Sequence, residues 1–308
     1  MKKGNNTTIV RAIGISYLEL MQRFPTEMDI IDYFLHIKYP KGIRCSHCLS
    51  KKVIHRKLTP RKFQCNSCNN SFSIFKSTIF KDSKLDLRKW LYVIHLVVNA
   101  KKGISACQVH REIRGSYKTS WRMVHQIRKA MGQTVSKDMF KAIVEIDEAY
   151  VHSDPKPKVK SKRGRGSFKT PIVGVYSRED DKIYTTVAKP NKLGQKLTGK
   201  QLLNILEEVT SKEAVVMTDE FRPYRILEKE GYDHQTVNHS EHQYAFNGIH
   251  VNNVEAFWSI FKRGLVGSFH HVSGKYLQNY INEFTYRFNN RKNKEIFYDL
   301  LEKTLLEF

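Results

Sequence analysis

Four cysteines in two closely spaced pairs constrain the fold of this 308-residue chain more than any other feature. Cys45 and Cys48 form the first pair, sixteen residues intervene, and Cys65 and Cys68 form the second. A Cys-x2-Cys spacing can turn both sulfurs toward one point, and two such pairs complete a tetrahedron around a zinc ion. Because the intervening residues suffice for a β-hairpin, the pattern predicts a zinc ribbon held together by a structural Zn²⁺ ion.

The same cysteines could instead form redox pairs or disulfides. We disfavour both alternatives because no signal peptide precedes the cysteines, which indicates a reducing, cytoplasmic compartment. The fifth cysteine, Cys107, has no partner in the pattern and is expected to be a small buried residue.

Positive charge is concentrated in the first half of the chain. Residues 1–140 hold 27 basic and 8 acidic side chains, a net charge of +19, whereas residues 141–308 have a net charge of only +4. Such an excess favours an anionic polymer as partner, through phosphate contacts and counterion release. No apolar run of membrane-spanning length occurs, so we expect nucleic acid rather than a membrane.

Apolar periodicity predicts helices on both sides of the ribbon, over residues 15–40 and 86–131. Within the second stretch, a break at Arg114-Gly115-Ser116 separates a short helix from a basic one, which is typical of a helix-turn-helix. The basic helix is expected to bury Trp121, Val124 and Ile127. Its exposed side chains, which could reach phosphates and base edges, are Lys118, Thr119, Arg122 and Gln126. The alternative is an ordinary helical hairpin, which the charge asymmetry disfavours.

From residue 143 the pattern changes to alternation. Strands are predicted at 143–151, 171–178, 182–188 and 213–218, with helices at 198–210, 251–266 and 273–290. Three strands, a helix, a strand and further helices is the order of an RNase H-like α/β core.

Between the first two of these strands lies a basic stretch, residues 155–169, with seven basic and no acidic side chains. It includes the candidate DNA contacts Lys162, Arg163, Arg165 and Lys169. It is interpreted as a loop that becomes ordered on DNA, with a merely solvated loop as the alternative.

Three carboxylates are candidates for catalysis. Asp147 lies inside an apolar strand, where a carboxylate needs a partner or a metal ion, and Asp219 follows another strand at its C-terminal end. Glu255 lies on a predicted helix whose polar face also carries Asn252, Ser259 and Lys262. Each acid alone could be an ordinary structural residue. Together they suit a pair of Mg²⁺ ions that catalyse phosphodiester displacement.

The chain resembles the ISXO-like group of DDE-type insertion-sequence transposases over about residues 20–295. The resemblance depends on six motifs in a fixed order. They are the two cysteine pairs, Ile104-Ser105-Ala106 with Ser116–Met123, Glu145–Val151, Gly164–Gly174, Thr218-Asp219-Glu220 with Tyr224, and His250–Arg263.

The resemblance implies that Asp147 and Asp219 bind two catalytic metal ions, either Mg²⁺ or Mn²⁺. Members of the group have either Glu or Asn as the third ligand. We expect Glu255, with Asn252 nearby or replacing it, and Lys262 beside the DNA backbone, because an anionic oxygen binds Mg²⁺ better than an amide. Arg263 is a further candidate DNA contact.

The implied protein is multidomain. Residues 1–82 would form N-terminal helices and the ribbon, 83–140 the helix-turn-helix, 141–295 the RNase H-like catalytic domain, and 296–308 a C-terminal tail. The expected activity is that of a bacterial, nucleoid-associated transposase. It would bind inverted repeats at the ends of its element, hydrolyse the 3′ ends and join them to target DNA as a dimer or larger multimer. The alternatives are a DNA-binding regulator without transposition and an RNase H-like nuclease that cuts without joining.

Overall fold

A computed structural model describes residues 14–56, 59–136, 139–152, 169–188, 197–237 and 250–305. The chain forms two compact units, and each includes segments distant in sequence. Residues up to 101, 106–131 and 291–308 belong to the first unit, and residues 102–105 and 132–290 belong to the second. None of the described helices is both long and apolar enough to cross a membrane.

The first unit combines a small antiparallel sheet with several helices. Helices α1 (Tyr17–Arg23) and α2 (Glu27–Lys38) precede strands β1 (Val53–His55), β2 (Lys62–Cys65) and β3 (Ser71–Ser73), which pair in the order β1-β2-β3. Helices α3 (Leu87–Asn99), α4 (Ala106–Ile113) and α5 (Tyr117–Ala130) follow. The three-stranded sheet with both cysteine pairs at its turns is the predicted ribbon.

Side-chain caps define the ends of several of these helices. Ser16 and Thr26 each form a capping box with the acidic residue three positions on, and Ser116 accepts a hydrogen bond from the Thr119 N–H at the start of α5. Arg114 and Gly115 both have positive φ, so the predicted break between α4 and α5 is a tight left-handed turn.

The segment 296–308 carries no sequence motif, yet it contributes helix α10 (Ile296–Leu305) to the first unit. Helix α10 packs against α2, α3 and α5, and Phe297 and Leu300 are almost fully buried. The last part of the chain thus completes the core of the N-terminal unit.

The second unit is a five-stranded mixed sheet covered by helices. Its elements are β4 (Ile143–Val151), β5 (Thr170–Ser177), β6 (Lys182–Val187), α6 (Gly199–Glu207), β7 (Val215–Asp219), α7 (Ile226–Lys229), β8 (Asp233–Val237), α8 (Asn252–Gly264) and α9 (Leu277–Asn289). The strand order is β6-β5-β4-β7-β8. Strands β4, β7 and β8 are parallel, and β5 is antiparallel to both neighbours.

Two apolar cores lie on opposite faces of this sheet. One contains Val144, Ile146 and Val216 with the buried leucines of α6. The other contains Ala149 and Ile172 with the apolar faces of α8 and α9. Because side chains alternate along a strand, these cores establish that Glu145, Asp147, Met217 and Asp219 belong to the face covered by α8 and α9.

Candidate active site and metal centres

The four cysteines meet in one cluster. Their sulfur atoms all lie within 4.8 Å of one another, with Cys45 and Cys68 at 3.7 Å and Cys48 and Cys65 at 3.5 Å. Zinc bound to four thiolates at about 2.3 Å gives sulfur separations of ~3.8 Å. The donor set and its spacing therefore fit a structural zinc ion.

Backbone N–H groups already favour thiolates at this centre. The N–H of His47 donates to Cys45 Sγ and that of Ser67 donates to Cys65 Sγ, each at 3.4 Å. Burial opposes ionisation of Cys65, but N–H donors from Cys68 and Ser67 lower the pKa of this thiol to about 6. The ribbon turns thus favour a thiolate at Cys65, whereas the neighbouring cysteine sulfurs raise the pKa of Cys48 to about 12, so a cation is needed to hold all four sulfurs as thiolates.

Asp147 and Asp219 lie level on the two central strands. Strands β4 and β7 pair in parallel with Glu145 opposite Met217, and the same register continued by two residues sets Asp147 beside Asp219. Adjacent strands lie only ~4.8 Å apart. Burial, the charge of Glu148 and the charge of Asp219 together raise the pKa of Asp147 to about 8. The predicted aspartates are therefore close enough for their charges to interact.

Helix α8 crosses the sheet directly over this position. Asp147 pairs with Gly174 on β5, and a Cβ atom at Gly174 would lie 2.9 Å from Trp258 and 3.1 Å from Val254. The absence of a side chain at Gly174 thus lets α8 approach the strand that faces Asp147. The charge of Glu255 also contributes to the raised pKa of Asp147, so the third predicted carboxylate belongs to the same site.

The two faces of α8 are as predicted from its sequence. Val254, Phe257, Trp258 and Phe261 are buried, whereas Asn252, Glu255, Ser259 and Lys262 are exposed. Among the described residues, one group of three or more His, Cys, Asp or Glu residues has all its ligand atoms within 4.8 Å of one another. That group is the four cysteines. The three carboxylates are thus more widely spaced than the sulfurs of the zinc centre.

A fully buried carboxylate that sequence reasoning missed connects this helix to the sheet. Glu145, two residues before Asp147 and on the same face, accepts hydrogen bonds from the N–H groups of Asn253 (3.0 Å) and Val254 (3.3 Å). The N-cap residue of α8, Val251, provides no side-chain cap. Glu145 therefore caps α8 from another element and satisfies backbone donors at its positive end.

Two side chains donate hydrogen bonds to the buried carboxylate of Glu145, and a third lies close to it. Arg178 Nε donates to Glu145 Oε1 at 2.7 Å, Asn253 Nδ2 donates to the same oxygen at 2.8 Å, and His250 Nδ1 lies 3.2 Å away. Arg178 also donates to the His250 carbonyl oxygen at 2.8 Å. The sequence signal for Glu145 was an acidic residue inside an apolar strand. Its partners could not be identified from the sequence, because they lie 33 to 109 residues away along the chain.

The opposite face of the sheet holds a second buried acid. Tyr224 donates to Glu148 Oε2 at 2.9 Å, and both side chains are buried. Burial and the Glu148 charge raise the pKa of Tyr224. Because Tyr224 follows Asp219 by five residues, this hydrogen bond ties the segment after β7 to β4. Asp219 Oδ1 also accepts the N–H of Phe221 at 3.0 Å.

The candidate DNA contacts of α5 share one side of that helix. Lys118 and Arg122 are exposed or partly exposed, and Thr119 and Gln126 are half-buried. Val124 and Ile127 are buried as predicted. Trp121, which we expected to be buried, is only half-buried, with its ring 4.1 Å from His125.

Of the remaining candidates, Arg263 is exposed and donates to the Ser259 carbonyl oxygen at 3.2 Å, and Lys169 is half-buried. Lys162, Arg163 and Arg165 lie outside the described residues. The fifth cysteine, Cys107, is exposed rather than buried.

Comparisons with known proteins agree with these features. The ISXO2-like transposase domain matches residues 139–289, and the transposase zinc-ribbon domain matches residues 25–71. An uncharacterized protein in transposable element ISH50 of Halobacterium salinarum is 27% identical over 261 residues, which cover 80% of this chain and 85% of the relative. An uncharacterized transposase-like protein of Haemophilus influenzae is 34% identical over 113 residues, 37% of this chain and 85% of the relative.

Proposed function

Since this chain belongs to the ISXO2-like transposases, which carry a transposase zinc ribbon, we propose that it cuts and joins DNA at the ends of an insertion sequence. The observation that carries this proposal is that Asp147 and Asp219 lie on adjacent parallel strands, on the sheet face covered by the helix that bears Glu255. The antiparallel strand β5 lies beside the parallel strands β4, β7 and β8. This strand order supports an RNase H-like core over residues 141–295.

The residues of this site suit divalent cations. Burial and the neighbouring carboxylates raise the pKa of Asp147, so a cation that neutralises this charge is favoured. Oxygen donors suit Mg²⁺ or Mn²⁺. When bound, two such ions activate a water molecule or a 3′-hydroxyl and stabilise the leaving oxygen in an in-line displacement. Asp147 and Asp219 would bind these ions from β4 and β7, and Glu255 would complete the ligand set from α8.

The exposed face of α8 would position the DNA. Lys262 lies two turns beyond Glu255 on that face, so its ammonium group would contact a phosphate beside the scissile bond. Asn252, one turn before Glu255, is the alternative third ligand. We favour Glu255 because its charge acts on Asp147 and because a carboxylate binds a hard cation more strongly than an amide.

The basic first unit would recognise the element ends. Helix α5 would enter the major groove with Lys118, Thr119, Arg122 and Gln126, and the ribbon of residues 1–82 would add further contacts. Arg263, Lys169 and the basic residues Lys162, Arg163 and Arg165 are proposed contacts of the catalytic unit with DNA. Because transposition joins two ends, we propose a dimer or larger assembly on DNA.

A mobilisation assay tests the proposed activity directly. The gene and its flanking DNA are cloned around a selectable marker, and marker transfer is scored for the wild type and for Asp147→Ala. Movement by the wild type alone supports transposition and a catalytic role of Asp147. Binding to the flanks without movement of either would favour a DNA-binding regulator.

A strand-transfer assay with Mg²⁺ or Mn²⁺ separates joining from cutting. Joined product supports the transposase, whereas cleaved ends without joined product favour a nuclease. In the same assay, Glu255→Gln should abolish product and Asn252→Ala should retain it. The reverse result would assign the third ligand to Asn252.

A further inference from the structure

The first unit contains a basic groove that none of the candidate DNA contacts accounts for. The groove has a volume of about 570 Å³ and lies along β2, β3 and the loop that leads to α3. Four exposed lysines line it, namely Lys62, Lys76, Lys81 and Lys84, against one acid, Asp82. We call it the lysine groove.

The lysine groove continues to the face of α5 that is proposed to read DNA. An adjoining depression of about 600 Å³ shares Asp82, Ser83 and Lys84 with it and is also lined by Thr119 and Arg122. The guanidinium of Arg122 donates to the carbonyl oxygen of Lys81 at 2.9 Å. The two basic surfaces are therefore joined through the loop that carries Lys81 and Lys84.

That loop is held in place by buried groups. Phe80 is 1% exposed, with its ring 5.2 Å from those of Phe34 and Trp90. Arg61 donates to the carbonyl oxygens of Ser83 (2.6 Å) and Leu85 and pairs with Glu27. Because these contacts of Phe80 and Arg61 fix the loop backbone, Lys81 and Lys84 project from defined positions. Binding of a ligand would therefore order little more than the two lysine side chains.

The lysine groove carries positive charge that its surroundings leave uncompensated. Among the residues that the structure describes, none of its four ammonium groups forms an ion pair or hydrogen bond. Lysine is a compact, strongly hydrated charge that suits phosphate oxygens without requiring a planar partner. The groove side chains that reach solvent are mostly charged, and Phe72, Phe75 and Phe80 are buried. A polyanion therefore suits this surface better than an apolar protein partner.

We propose that the lysine groove binds the sugar-phosphate backbone of the same DNA duplex whose major groove receives α5. This inference rests on the proposed function and deepens it by naming the backbone contacts that would fix the register of α5. Phosphate contacts on either side of a recognition helix position it without reading sequence. The lysine groove would thus contribute affinity and salt dependence equally on all sequences, while α5 would contribute discrimination.

The test compares two matched pairs of substitutions in the full-length zinc-loaded protein. Lys81→Ala with Lys84→Ala removes two groove charges. The control pair, Lys200→Ala with Lys229→Ala, removes two exposed charges of the second unit that neither line the groove nor belong to the proposed DNA contacts. Dissociation constants are measured against increasing NaCl for duplexes taken from each flank of the gene and for an unrelated duplex of equal length.

We expect the groove pair to lower the slope of log affinity against log salt by about 1.8, or ~0.9 for each phosphate that is no longer neutralised. On quadrupling the salt, the wild type would then lose about tenfold more affinity than the groove variant. The reduction in affinity should be equal on flank and unrelated duplexes, and Lys81→Arg with Lys84→Arg should restore the slope. The control pair should keep the wild-type slope.

Two results would overturn the proposal. One is an unchanged slope and affinity in the groove pair. The other is an equal reduction in the control pair, which would mean that only net charge matters. Zinc content and the far-ultraviolet circular dichroism spectrum confirm that each variant is folded. Failure of the proposed function looks different, since the wild type itself would then bind flank and unrelated duplexes equally and would not mobilise the marker.

Discussion

The zinc centre takes all its ligands from residues 45–68, whereas the carboxylate site draws Asp147, Asp219 and Glu255 from two strands and a helix. In the first, two tight turns of one small sheet bring four sulfurs within 4.8 Å. In the second, the distance between ligands depends on strand register and on where α8 lies on the sheet. A local centre is thus fixed by spacing along the chain, and a distributed one by long-range packing.

The two centres also differ in whether local or distant groups set the pKa of their side chains. Backbone N–H groups of the ribbon turns stabilise the charged form of Cys65 without any distant partner. At Asp147, burial and three neighbouring carboxylates disfavour the charged form. The ribbon turns therefore favour a thiolate at Cys65 before a cation binds, whereas at the carboxylate site a bound cation would itself relieve the repulsion around Asp147.

The largest expected effect is removal of a zinc ligand. Cys65→Ser should abolish stoichiometric zinc binding, because it removes one of the four thiolate ligands. The effect should be large, since a structural zinc ion in a small module contributes ~10–16 kcal/mol of binding free energy. Metal analysis and limited proteolysis of the ribbon measure this. Cys107→Ser is the matched control, since Cys107 is exposed and outside the cluster. Full zinc content in the Cys65 variant would show that the cluster is not the zinc site.

The next effect concerns Asp147. Asp147→Asn should lower metal-dependent DNA cleavage by a factor of at least ~10³, since several kcal/mol of transition-state stabilisation depend on bound metal. Zinc content should remain at one equivalent, because the two centres share no ligand. Single-turnover cleavage rates provide the measurement, and activity near the wild-type level would exclude Asp147 from the catalytic set.

Glu145 provides a test of how the distributed site is held. Glu145→Gln keeps the side-chain size but replaces the charge that faces Arg178 and the N-terminus of α8. We expect a cleavage rate about 10- to 100-fold lower, roughly as for outer-shell partners of metal ligands, with unchanged affinity for DNA. Glu228→Gln is the control, because Glu228 is largely exposed in its pair with His234. Equal activity of wild type and Glu145→Gln would remove Glu145 from any positioning role.

A pH dependence of stability follows from Asp147. Its pKa is about 8 in the metal-free fold against an ordinary value of 3.8, so the folded state retains a proton that the unfolded chain releases above about pH 4. The free energy of unfolding should therefore fall as pH rises from about 4 to 8. Asp147→Asn or saturating Mg²⁺ should raise the melting temperature at pH 8, by roughly 2–4 °C for each kcal/mol recovered. Calorimetry at pH 8 with and without Mg²⁺ measures the melting temperature. An unchanged melting temperature of the wild type on addition of Mg²⁺ would contradict the predicted stabilisation by metal.

The smallest effect is expected on the face of the sheet away from the site. Tyr224→Phe removes a donor from the buried Glu148 carboxylate and should lower the free energy of unfolding by about 1–3 kcal/mol. Tyr92→Phe removes a similar 2.9 Å hydrogen bond to Glu112 at an exposed site, where the cost should stay below about 0.5 kcal/mol. Urea denaturation compares them, and equal destabilisation would mean that burial of Glu148 adds nothing.

Most elements of the second unit could be predicted because their apolar patterns are strong. Strand β4 has the predicted bounds of 143–151, and β5, β6 and β7 differ by one or two residues at an end. Strand β8 was missed because its sequence, Asp233-His234-Gln235-Thr236-Val237, lacks an apolar face. An edge strand pairs through backbone groups on one side and needs little burial, so its sequence carries a weak signal.

The sequence by itself determined the zinc centre, most strands of the second unit and the apolar face of α8, since each depends on spacing within a few turns of chain. Only the tertiary structure decided that Glu145 caps α8, that Gly174 admits this helix beside Asp147, and that α10 completes the N-terminal unit. The physical reason is that these contacts join residues tens to hundreds of positions apart. Local patterns specify which face of an element is buried, but not which distant group it meets.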